Sequence, residues 1–305
     1  MSNRRILISV CMITYNHEFF IEQAIEGVLN QSGDFELEII VADDFSPDRT
    51  FEIVNSYIKN HPKGGSIQYF RHKKNFGMEK NFIWALSKCK GELVALCEGD
   101  DYWINKNHLE NQISIFKKAP YILMSGAITN IIKKENNEWV TVGINPLVSF
   151  ERFKNIGISE FLKGKFYPST VSRVYKNSII KDFVIEFNDS NLVCEWLLSL
   201  YCLHKSFSNL DSIGFGNYVC GIYRQSDIGV WHSKSIAFKV KSDYEVIKFA
   251  FKSKWNLPIT FFKEQLLAKS LFLFKNKSVP YYDRFYYLLR YFFFRIFFLF
   301  SLKDG

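Results

Sequence analysis

The stretch GELVALCEGDDYW at residues 91–103 decides the fold class of this chain. Its apolar run, residues 93–97, is short and uncharged, which is typical of a strand buried on both faces of a parallel sheet. Three carboxylates, Glu98, Asp100 and Asp101, follow the run directly. Ligands bind beyond the carboxyl ends of the strands in such sheets. The stretch therefore predicts a parallel sheet and a ligand site at its edge.

Three segments nearer the N-terminus repeat the pattern of an apolar strand followed by helical spacing. The runs 6–13, 37–42 and 67–71 are predicted as strands. After the second of them, Ser46 is predicted as the N-cap of a helix, with proline at its first position, that runs to about Asn60. Four strand–helix units in succession predict an α/β fold with a mostly parallel sheet and helices on both faces.

Beyond residue 120 the pattern weakens. Segments 120–145 and 165–176 are predicted as strands, and 192–204 as a helix. Region 212–232 carries scattered glycines and aromatics and is predicted as a loop that closes over a ligand and excludes water. The chain is predicted to be helical from residue 236 onward.

Composition limits the partners of the chain. The 305 residues carry a formal charge of +8, which favours phosphorylated substrates or acidic lipids as partners. The sequence has no zinc-finger spacing and no long Lys/Arg run, so we expect no nucleic-acid partner. The six cysteines form no CxxC pair, and no apolar signal segment follows Met1. We therefore expect a cytoplasmic location.

Two carboxylate pairs are the strongest chemical signal. Adjacent carboxylates such as Asp100 and Asp101 repel each other unless a cation lies beside them. A hard divalent cation, Mg²⁺ or Mn²⁺, suits such oxygen ligands and also bridges phosphates. A cap on the next helix is the structural alternative. Because Asp43 and Asp44 end a second parallel strand, both pairs are predicted to face one crevice, which favours the metal and ligand site.

The ends of the other strands offer groups that suit a nucleotide. A carboxylate at Asp43 or Asp44 can accept hydrogen bonds from a nucleobase or a ribose, although the segment also has good turn chemistry, and both roles can hold together. Tyr15 can stack on a base, and Arg71 can contact phosphate. Neither GxGxxG nor a Walker A motif follows the first strand, so a bound diphosphate must be neutralised in another way, again by a metal.

Four stretches carry a resemblance to a known family. They are VCMITYNHEFFIEQAIEGVLNQ (10–31), LEIIVADDFSPDRT (37–50), NFGMEKNFIWAL (75–86) and GELVALCEGDDYW (91–103). In their order and spacing, the first 115 residues resemble family 2 glycosyltransferases of the GT-A fold. The resemblance implies sugar transfer with inversion from a nucleotide-sugar, typically a UDP-sugar, to an acceptor hydroxyl in surface polysaccharide synthesis.

The resemblance also implies roles for residues. Asp101 would bind the metal, Asp100 the metal or the ribose, and Asp43 or Asp44 would recognise the base. The residues predicted to bind the nucleotide-sugar are Thr14, Tyr15, Asn16, Glu18, Asp43, Asp44, Arg71, Asn75, Gly77 and Asp100.

In the second half, Cys194-Glu195-Trp196-Leu197-Leu198 is similar to the family's acidic-Trp motif. Glu195 is therefore the candidate general base; the alternative is an acid at a helix terminus without catalytic function. The segment from Tyr223-Arg224 to Trp231 is similar to a downstream family pattern, but Ser226 stands where the family has histidine. This departure leaves open whether the segment contacts metal or phosphate.

The C-terminal stretch 281–300 is dense in aromatics and contains Arg284, Arg290 and Arg295. These charges argue against a spanning helix and predict an amphipathic helix at the membrane surface. Burial against the catalytic domain and a dimer interface are the alternatives. A membrane-bound enzyme would suit a glycan or lipid-linked glycan acceptor.

Three domains follow from these segments. Residues 1–120 are predicted to bind the nucleotide-sugar, 121–235 to bind the acceptor and hold the base, and 236–305 to form a helical, membrane-associating extension. Two other functions stay open at this point. One is another metal-dependent nucleotide-handling α/β enzyme, although Thr14 and Asn16 occupy the place of a phosphatase nucleophile. The other is a non-catalytic, sugar-binding or scaffold member of the same fold.

Overall fold

The structure is a computed structural model that describes residues 4–146, 153–156, 168–188, 190, 192, 195–206, 213–226 and 234–301. The described residues form two compact units. One contains those up to residue 202 together with 206–226, and the other contains 203–205 and 234–301. The three-domain division predicted above stays a prediction.

The first unit is built on a sheet that has ten strands in the described part of the chain. The order is β3-β2-β1-β4-β9-β6-β10-β5, with β7 paired to β6 and β8 paired to β10. The strands are β1 (Ile6–Thr14), β2 (Phe35–Asp43), β3 (Ile67–Arg71), β4 (Leu93–Leu96), β5 (Tyr102–Trp103), β6 (Met124–Glu135), β7 (Glu138–Asn145), β8 (Phe153–Ile156), β9 (Val174–Lys176) and β10 (Ile213–Gln225).

Strands β1 to β4 form a parallel block, as predicted. β1 pairs in parallel with β2 and β4, and β2 pairs in parallel with β3. The register places Thr14 opposite Asp43, and Asp43 opposite Arg71. The carboxyl ends of these strands therefore lie along one edge of the sheet, and the sequence-based prediction of an α/β, GT-A-type fold is confirmed.

In the described residues, six α-helices accompany the strands of this unit, and their apolar faces fill its core. In α1, the residues predicted to face inward, among them Ile21, Ala24 and Val28, are completely buried. Burial of each large aliphatic side chain contributes about 1.5–3 kcal/mol. The helices are α1 (Ile21–Leu29), α2 (Thr50–Asn60), α3 (Met78–Lys88), α4 (His108–Lys118), α5 (Asn177–Phe187) and α6 (Glu195–Lys205).

The prediction that Ser46 is a helix N-cap is wrong. Helix α2 begins at Thr50, and Arg49 is its N-cap residue. The Ser46 hydroxyl instead accepts a hydrogen bond from the backbone N–H of Asn16 at 2.9 Å. The side chain therefore joins the loop after β1 to the loop after β2, a tertiary contact that competes successfully with local capping.

The prediction of a loop over residues 212–232 is also wrong for the part that the structure describes. Residues 213–225 form β10, which pairs with β6, β5 and β8. A Cβ added at Gly221 would lie 2.6 Å from the carbonyl oxygen of Tyr102, so this glycine permits close strand pairing. The remainder of the predicted closing loop, residues 227–232, lies outside the described residues.

The second unit is helical, as predicted from residue 236 onward. Its helices are α7 (Ile236–Lys252), α8 (Ile259–Lys275) and α9 (Tyr281–Ser301). In α9, Tyr287, Phe294 and Phe298 are buried, whereas eight large apolar residues of the described part, among them Tyr282 and Leu289, are exposed. Among the described residues, none of the helices has the length and apolar character needed to cross a bilayer.

Candidate active site

The loop after β1 lies at the centre of the edge where the parallel strands end. The Thr14 carbonyl accepts the Asp44 N–H at 3.0 Å, and the Ile13 carbonyl accepts the Gly99 N–H at 3.0 Å. The chain thus places the segments after β2 and β4 on either side of β1. The Thr14 hydroxyl is buried and has no hydrogen-bond partner in the part of the chain that the structure describes, whereas Tyr15 is 39% exposed at this edge.

Asp43 is completely buried and organises the turn that follows β2. Its carboxylate accepts the Ser46 N–H at 2.8 Å and the Tyr69 hydroxyl, and its Oδ2 lies 3.7 Å from Arg71 Nε. Arg71 also donates to the Ser46 carbonyl at 2.7 Å. The next residue but one, Phe45, has φ +68° and lies against the Arg71 guanidinium. This turn therefore has both its charges and its backbone geometry fixed.

Asp44 joins a second loop to the same edge. Its two carboxylate oxygens accept the backbone N–H groups of Phe76 and Gly77 at 2.7 and 2.9 Å. Asn75 Oδ1 accepts the same Gly77 N–H at 3.0 Å, and Gly77 has φ +93°, which favours glycine. Each carboxylate oxygen can accept more than one hydrogen bond, so these contacts leave capacity for a ligand.

Glu18 lies in contact with the segment that precedes α2. Its carboxylate accepts the Arg49 N–H at 3.3 Å, and its own N–H donates to Asp48 Oδ2 at 2.8 Å. Asn16 beside it has φ +61°. These reciprocal bonds hold the loop after β1 in a left-handed backbone conformation that costs about 1–3 kcal/mol and is enriched at functional sites.

The loop after β4 brings Asp100 next to the loop after β1. Asp100 Oδ2 lies 3.9 Å from His17 Nε2. A Cβ added at the intervening Gly99 would lie 2.8 Å from both the Thr14 hydroxyl and His17 Nδ1. Only glycine therefore lets the two loops approach this closely, and the approach sets the position of the carboxylates that follow.

Asp101 is 1% exposed and uses only one of its carboxylate oxygens. Oδ1 accepts the backbone N–H of Arg224 at 2.8 Å, whereas Oδ2 is buried and has no hydrogen-bond partner among the described residues. Burial and the negative charge of Asp100 raise the pKa of Asp101 well above its usual value. A buried carboxylate with an unsatisfied oxygen beside a second carboxylate is an arrangement that a cation would stabilise.

These residues fit a divalent cation that is held by few protein ligands. The described residues contain no group of three or more His, Cys, Asp and Glu side chains able to hold a metal ion. Magnesium-type ions that act on nucleotides are held by one or two carboxylates together with the substrate phosphates. The unsatisfied Oδ2 of Asp101 and the adjacent carboxylate of Asp100 meet that requirement.

Glu195 is the first residue of α6 and lies close to Glu98 of the same edge. Burial raises the pKa of Glu98, and the negative charge of Glu195 is the next largest cause of that shift. The pKa of Glu195 is itself raised by burial. Proximity to the acidic loop and a raised pKa are two properties of a general base.

The sequence analysis assigned no role to three residues that lie near these carboxylates. His17 contacts Asp100, and Arg224 donates to the Asp100 carbonyl at 2.6 Å. Arg173 is 1% exposed, donates to the Glu195 carbonyl at 3.4 Å, and opposes the rise of the Glu195 pKa. The Tyr-Arg pattern was a signal for Arg224, but no feature of the sequence distinguishes Arg173 from a surface arginine.

The comparisons with known proteins agree with this geometry. The model of the family "Glycosyl transferase family 2" matches residues 9–186, which include every strand end described above except that of β10. The chain belongs to glycosyl transferase family 2.

Relatives by sequence belong to several bacteria. An uncharacterized protein of Mycobacterium tuberculosis is 28% identical over 228 residues, 74% of this chain, and the chain spans 60% of the length of that relative. A protein of Campylobacter jejuni is 28% identical over 257 residues, which cover 78% of this chain and 71% of the relative. That protein is a GalNAc(5)-diNAcBac-PP-undecaprenol beta-1,3-glucosyltransferase.

Two solved structures share the fold. Residues 1–349 of Staphylococcus aureus TarS in complex with UDP-GlcNAc give a TM-score of 0.61 at 20% identity, covering 87% of this chain and 70% of that one. The mannosyltransferase PcManGT of Pyrobaculum calidifontis, in complex with GDP-Man and Mn²⁺, gives a TM-score of 0.61 at 15% identity, covering 89% and 73%. At these identities the likeness shows the GT-A fold.

Proposed function

We propose that this family 2 member transfers a sugar from a nucleoside-diphosphate sugar, a UDP-sugar in the first instance, to an acceptor hydroxyl with inversion at the anomeric carbon. The observation that carries the proposal is the juxtaposition of two carboxylate pairs on either side of β1, with one oxygen of Asp101 buried and unsatisfied. Similarity to proteins solved with UDP-GlcNAc and with GDP-Man and Mn²⁺ supports it.

Asp101 Oδ2 and Asp100 would hold a divalent cation, Mn²⁺ or Mg²⁺. When bound, such a cation neutralises the charge that grows on the leaving nucleoside diphosphate. The protein's own contribution is to hold both carboxylates still. The Arg224 N–H fixes Asp101, and the approach at Gly99 fixes the loop that carries Asp100.

The nucleoside would occupy the edge between the loops after β1 and β2. The remaining lone pairs of Asp43 and Asp44 accept hydrogen bonds from the base and the ribose. Tyr15, exposed at the mouth, stacks on the base. Arg71, half-exposed and fixed by Ser46, lies where a phosphate or a base carbonyl can accept from it. Further contacts would come from the loop residues Thr14, Asn16, Glu18, Asn75 and Gly77.

Glu195 would act as the general base. It removes the proton from the acceptor hydroxyl, whose oxygen then attacks the anomeric carbon on the face opposite the departing nucleoside diphosphate. The bond from the anomeric carbon to the phosphate oxygen breaks as the new glycosidic bond forms, which inverts the configuration. Burial of Glu195 raises its pKa and so strengthens it as a base.

The acceptor would be a glycan or a lipid-linked glycan of the cell surface. The Campylobacter jejuni relative, a GalNAc(5)-diNAcBac-PP-undecaprenol beta-1,3-glucosyltransferase, supports this proposal. We further propose that the enzyme lies on the inner face of the cell membrane. The described cysteines, Cys11, Cys89, Cys97, Cys202 and Cys220, are free and buried, as suits a reducing compartment.

Helix α9 would provide the contact with the membrane. Its exposed apolar residues follow helical spacing along one face, and the charged residues Arg290 and Arg295 flank that face at either border. Aromatic rings at headgroup depth and arginines beside anionic lipids are the features of an interfacial helix. The exposed members of the face include Tyr281, Tyr282, Phe285, Tyr286, Leu289, Phe292, Phe293 and Phe297.

A panel of UDP-, GDP- and dTDP-sugars tests the function. Thermal unfolding is measured with each donor, with and without Mn²⁺, and nucleoside diphosphate release is measured for the donors that stabilise the chain. We expect one donor class to raise the Tm in a Mn²⁺-dependent way and to be hydrolysed slowly. Binding without any release, with lipid-linked acceptors present, would show a sugar-binding member of the fold; no Mn²⁺-assisted binding of any donor would overturn the proposal.

A further inference from the structure

Arg224 is the penultimate residue of strand β10 and is 3% exposed, although it carries a full positive charge. Its backbone N–H donates to Asp101 Oδ1 at 2.8 Å, and its Nη1 donates to the Asp100 carbonyl at 2.6 Å. Its Nη2 donates to Gln23 Oε1 of helix α1. One residue thus contacts both members of the acidic pair, one through its side chain and the other through its backbone.

The surroundings of the guanidinium are aromatic. Its central carbon lies 4.3 Å from the ring centre of Tyr102, 5.1 Å from that of Phe20 and 5.8 Å from that of Trp139. Burial of a charge is costly unless it is paired and hydrogen-bonded. The three rings and the two oxygen acceptors reduce that cost by cation–π contacts and hydrogen bonds and restrict the position of the guanidinium. Nε is buried and has no hydrogen-bond partner among the described residues.

The consequence for Asp101 is geometric. Its Oδ1 accepts the Arg224 N–H, which restricts the rotation of the side chain, and Oδ2 is the oxygen that has no partner in the described part of the chain. The Asp100 carbonyl is fixed by the same residue, so the peptide that joins the two aspartates cannot turn away. Tyr102, the residue after the pair, packs on the same guanidinium.

We propose that Arg224 is the positioning residue of the acidic pair: it presents Asp101 Oδ2 to the divalent cation without binding the cation itself. This inference rests on the proposed function, because it takes the pair to be the cation site. Supporting contacts of this kind orient metal ligands, and their loss typically weakens metal binding 10–100-fold.

Arg224→Lys separates positioning from charge. Lysine keeps the positive charge but is a single point donor, so it cannot reach the Asp100 carbonyl and Gln23 together. We expect Mn²⁺ affinity to fall about 10–100-fold, while the affinity for UDP or GDP without metal stays within about twofold. If Arg224 only stabilised β10, the substitution would lower the Tm and leave the Mn²⁺ dissociation constant of the folded protein unchanged.

The experiment measures free Mn²⁺ by electron paramagnetic resonance on the full chain, with UDP saturating and, in a parallel titration, with GDP. Arg5→Lys is the matched control, since Arg5 is an exposed arginine that pairs with Asp34. Gln23→Ala is the second variant and is expected to fold, because Gln23 is exposed. It frees one end of the guanidinium, and we expect roughly threefold weaker Mn²⁺ binding, a smaller effect than for Arg224→Lys.

The outcomes distinguish this inference from the proposed function. Unchanged Mn²⁺ affinity in Arg224→Lys and Gln23→Ala, with a normal wild type, overturns the positioning role alone. A wild type that binds no Mn²⁺ with either nucleotide overturns the cation site and the inference with it. If Arg224→Lys does not fold, the Gln23→Ala variant decides. A higher Mn²⁺ dissociation constant in that variant supports the positioning role of Arg224, and an unchanged constant overturns it.

Discussion

The burial of the Asp101 carboxyl group lowers the stability of the folded chain, as expected for a residue that is proposed to bind a cation. Its pKa is raised by burial first and by Asp100 second, so the charged form destabilises the protein when nothing lies against Oδ2. Residues of this kind often lower stability in favour of activity. Replacing the charge by an isosteric neutral group should therefore stabilise the fold and remove the function.

Asp101→Asn is accordingly expected to raise the free energy of unfolding by about 1 kcal/mol. Asparagine keeps an oxygen for the Arg224 N–H but carries no charge beside Asp100. The same variant should lose the Mn²⁺-dependent rise in Tm with a donor. Urea unfolding and thermal shift measure the two effects, and Asp34→Asn on the exposed surface is the control. A variant less stable than the wild type would contradict this account.

Glu195→Gln tests the base. Loss of the proton acceptor should lower kcat by about 10²–10⁴-fold, the usual contribution of general-base catalysis. The donor KM and the Mn²⁺-dependent Tm shift should stay unchanged, because Glu195 is not among the groups proposed to hold the donor. Steady-state kinetics decide, with the exposed Glu138→Gln as control. A rate equal to that of the wild type would remove Glu195 from the role.

At the scale of elements, the loop between β4 and β5 depends on Gly99. A methyl group there would lie 2.8 Å from two polar atoms, those of Thr14 and His17. We expect Gly99→Ala to lower the free energy of unfolding by about 1–3 kcal/mol, as overpacking does, and to lower donor affinity as the loops move apart. Gly65→Ala is the matched control, because a Cβ at Gly65 has no neighbour within 4 Å. Equal urea midpoints for the two variants would contradict the prediction.

A histidine at the start of helix α4 makes the stability of the fold depend on pH. Burial lowers the pKa of His108 from 6.5 to about 3. Between pH 3 and pH 6.5, His108 is therefore protonated in the unfolded chain but not in the folded chain. The free energy of unfolding consequently falls as the pH drops below about 6.5. From pH 7 to pH 5 this residue should cost about 2 kcal/mol.

His108→Gln removes that titration and keeps a polar group near the Tyr218 hydroxyl, which lies 3.0 Å from Nδ1. Urea unfolding at pH 7 and pH 5 measures the loss in each protein. The variant should lose about 2 kcal/mol less than the wild type, whereas His61→Gln, at the end of α2, should follow the wild type. The same pH dependence in all three proteins would show that His108 titrates normally.

Elements with a strong local pattern were predictable from sequence, and elements defined by distant partners were not. Apolar runs identified β1 to β4, because a strand buried on both faces must be apolar whatever its neighbours are. Strand β10 contains Gly214, Gly216 and Gly221, which locally favour a turn; pairing with three other strands overrides that tendency. The same holds within the site: the acidic pair is adjacent in sequence and was found, whereas the supporting residues are distant in sequence, because Arg173 directly precedes β9 and Arg224 lies in β10.

At the scale of the whole molecule, the excess positive charge and the exposed face of α9 together predict binding to anionic bilayers. The formal charge is +8, and each Arg near an anionic surface contributes about 1 kcal/mol. Replacing both Arg290 and Arg295 by Gln should weaken binding by about 2 kcal/mol, roughly 30-fold. Sedimentation with phosphatidylglycerol vesicles measures it.

Replacing Lys117 and Lys118 by Gln is the control, because it removes the same charge from exposed positions at the end of α4. Phosphatidylcholine vesicles should show a much smaller difference, since they carry no net charge. Replacing Phe292 and Phe293 by Ser should weaken binding to both vesicle types, as loss of apolar contact does not depend on lipid charge. If all variants sediment equally with the vesicles, the exposed face of α9 does not bind the bilayer, and a contact with another protein becomes the better interpretation.

The contact between Asp101 and Arg224 joins residues 123 positions apart. Because translation proceeds from the N-terminus, β1 to β4 and both aspartate pairs emerge from the ribosome well before the strand that braces them. A nascent chain that stops short of β10 therefore lacks the residue that contacts both members of the acidic pair. Long-range strand pairing is slow compared with local folding. We therefore expect the proposed cation site to be completed late in biosynthesis, after most of the chain has been made.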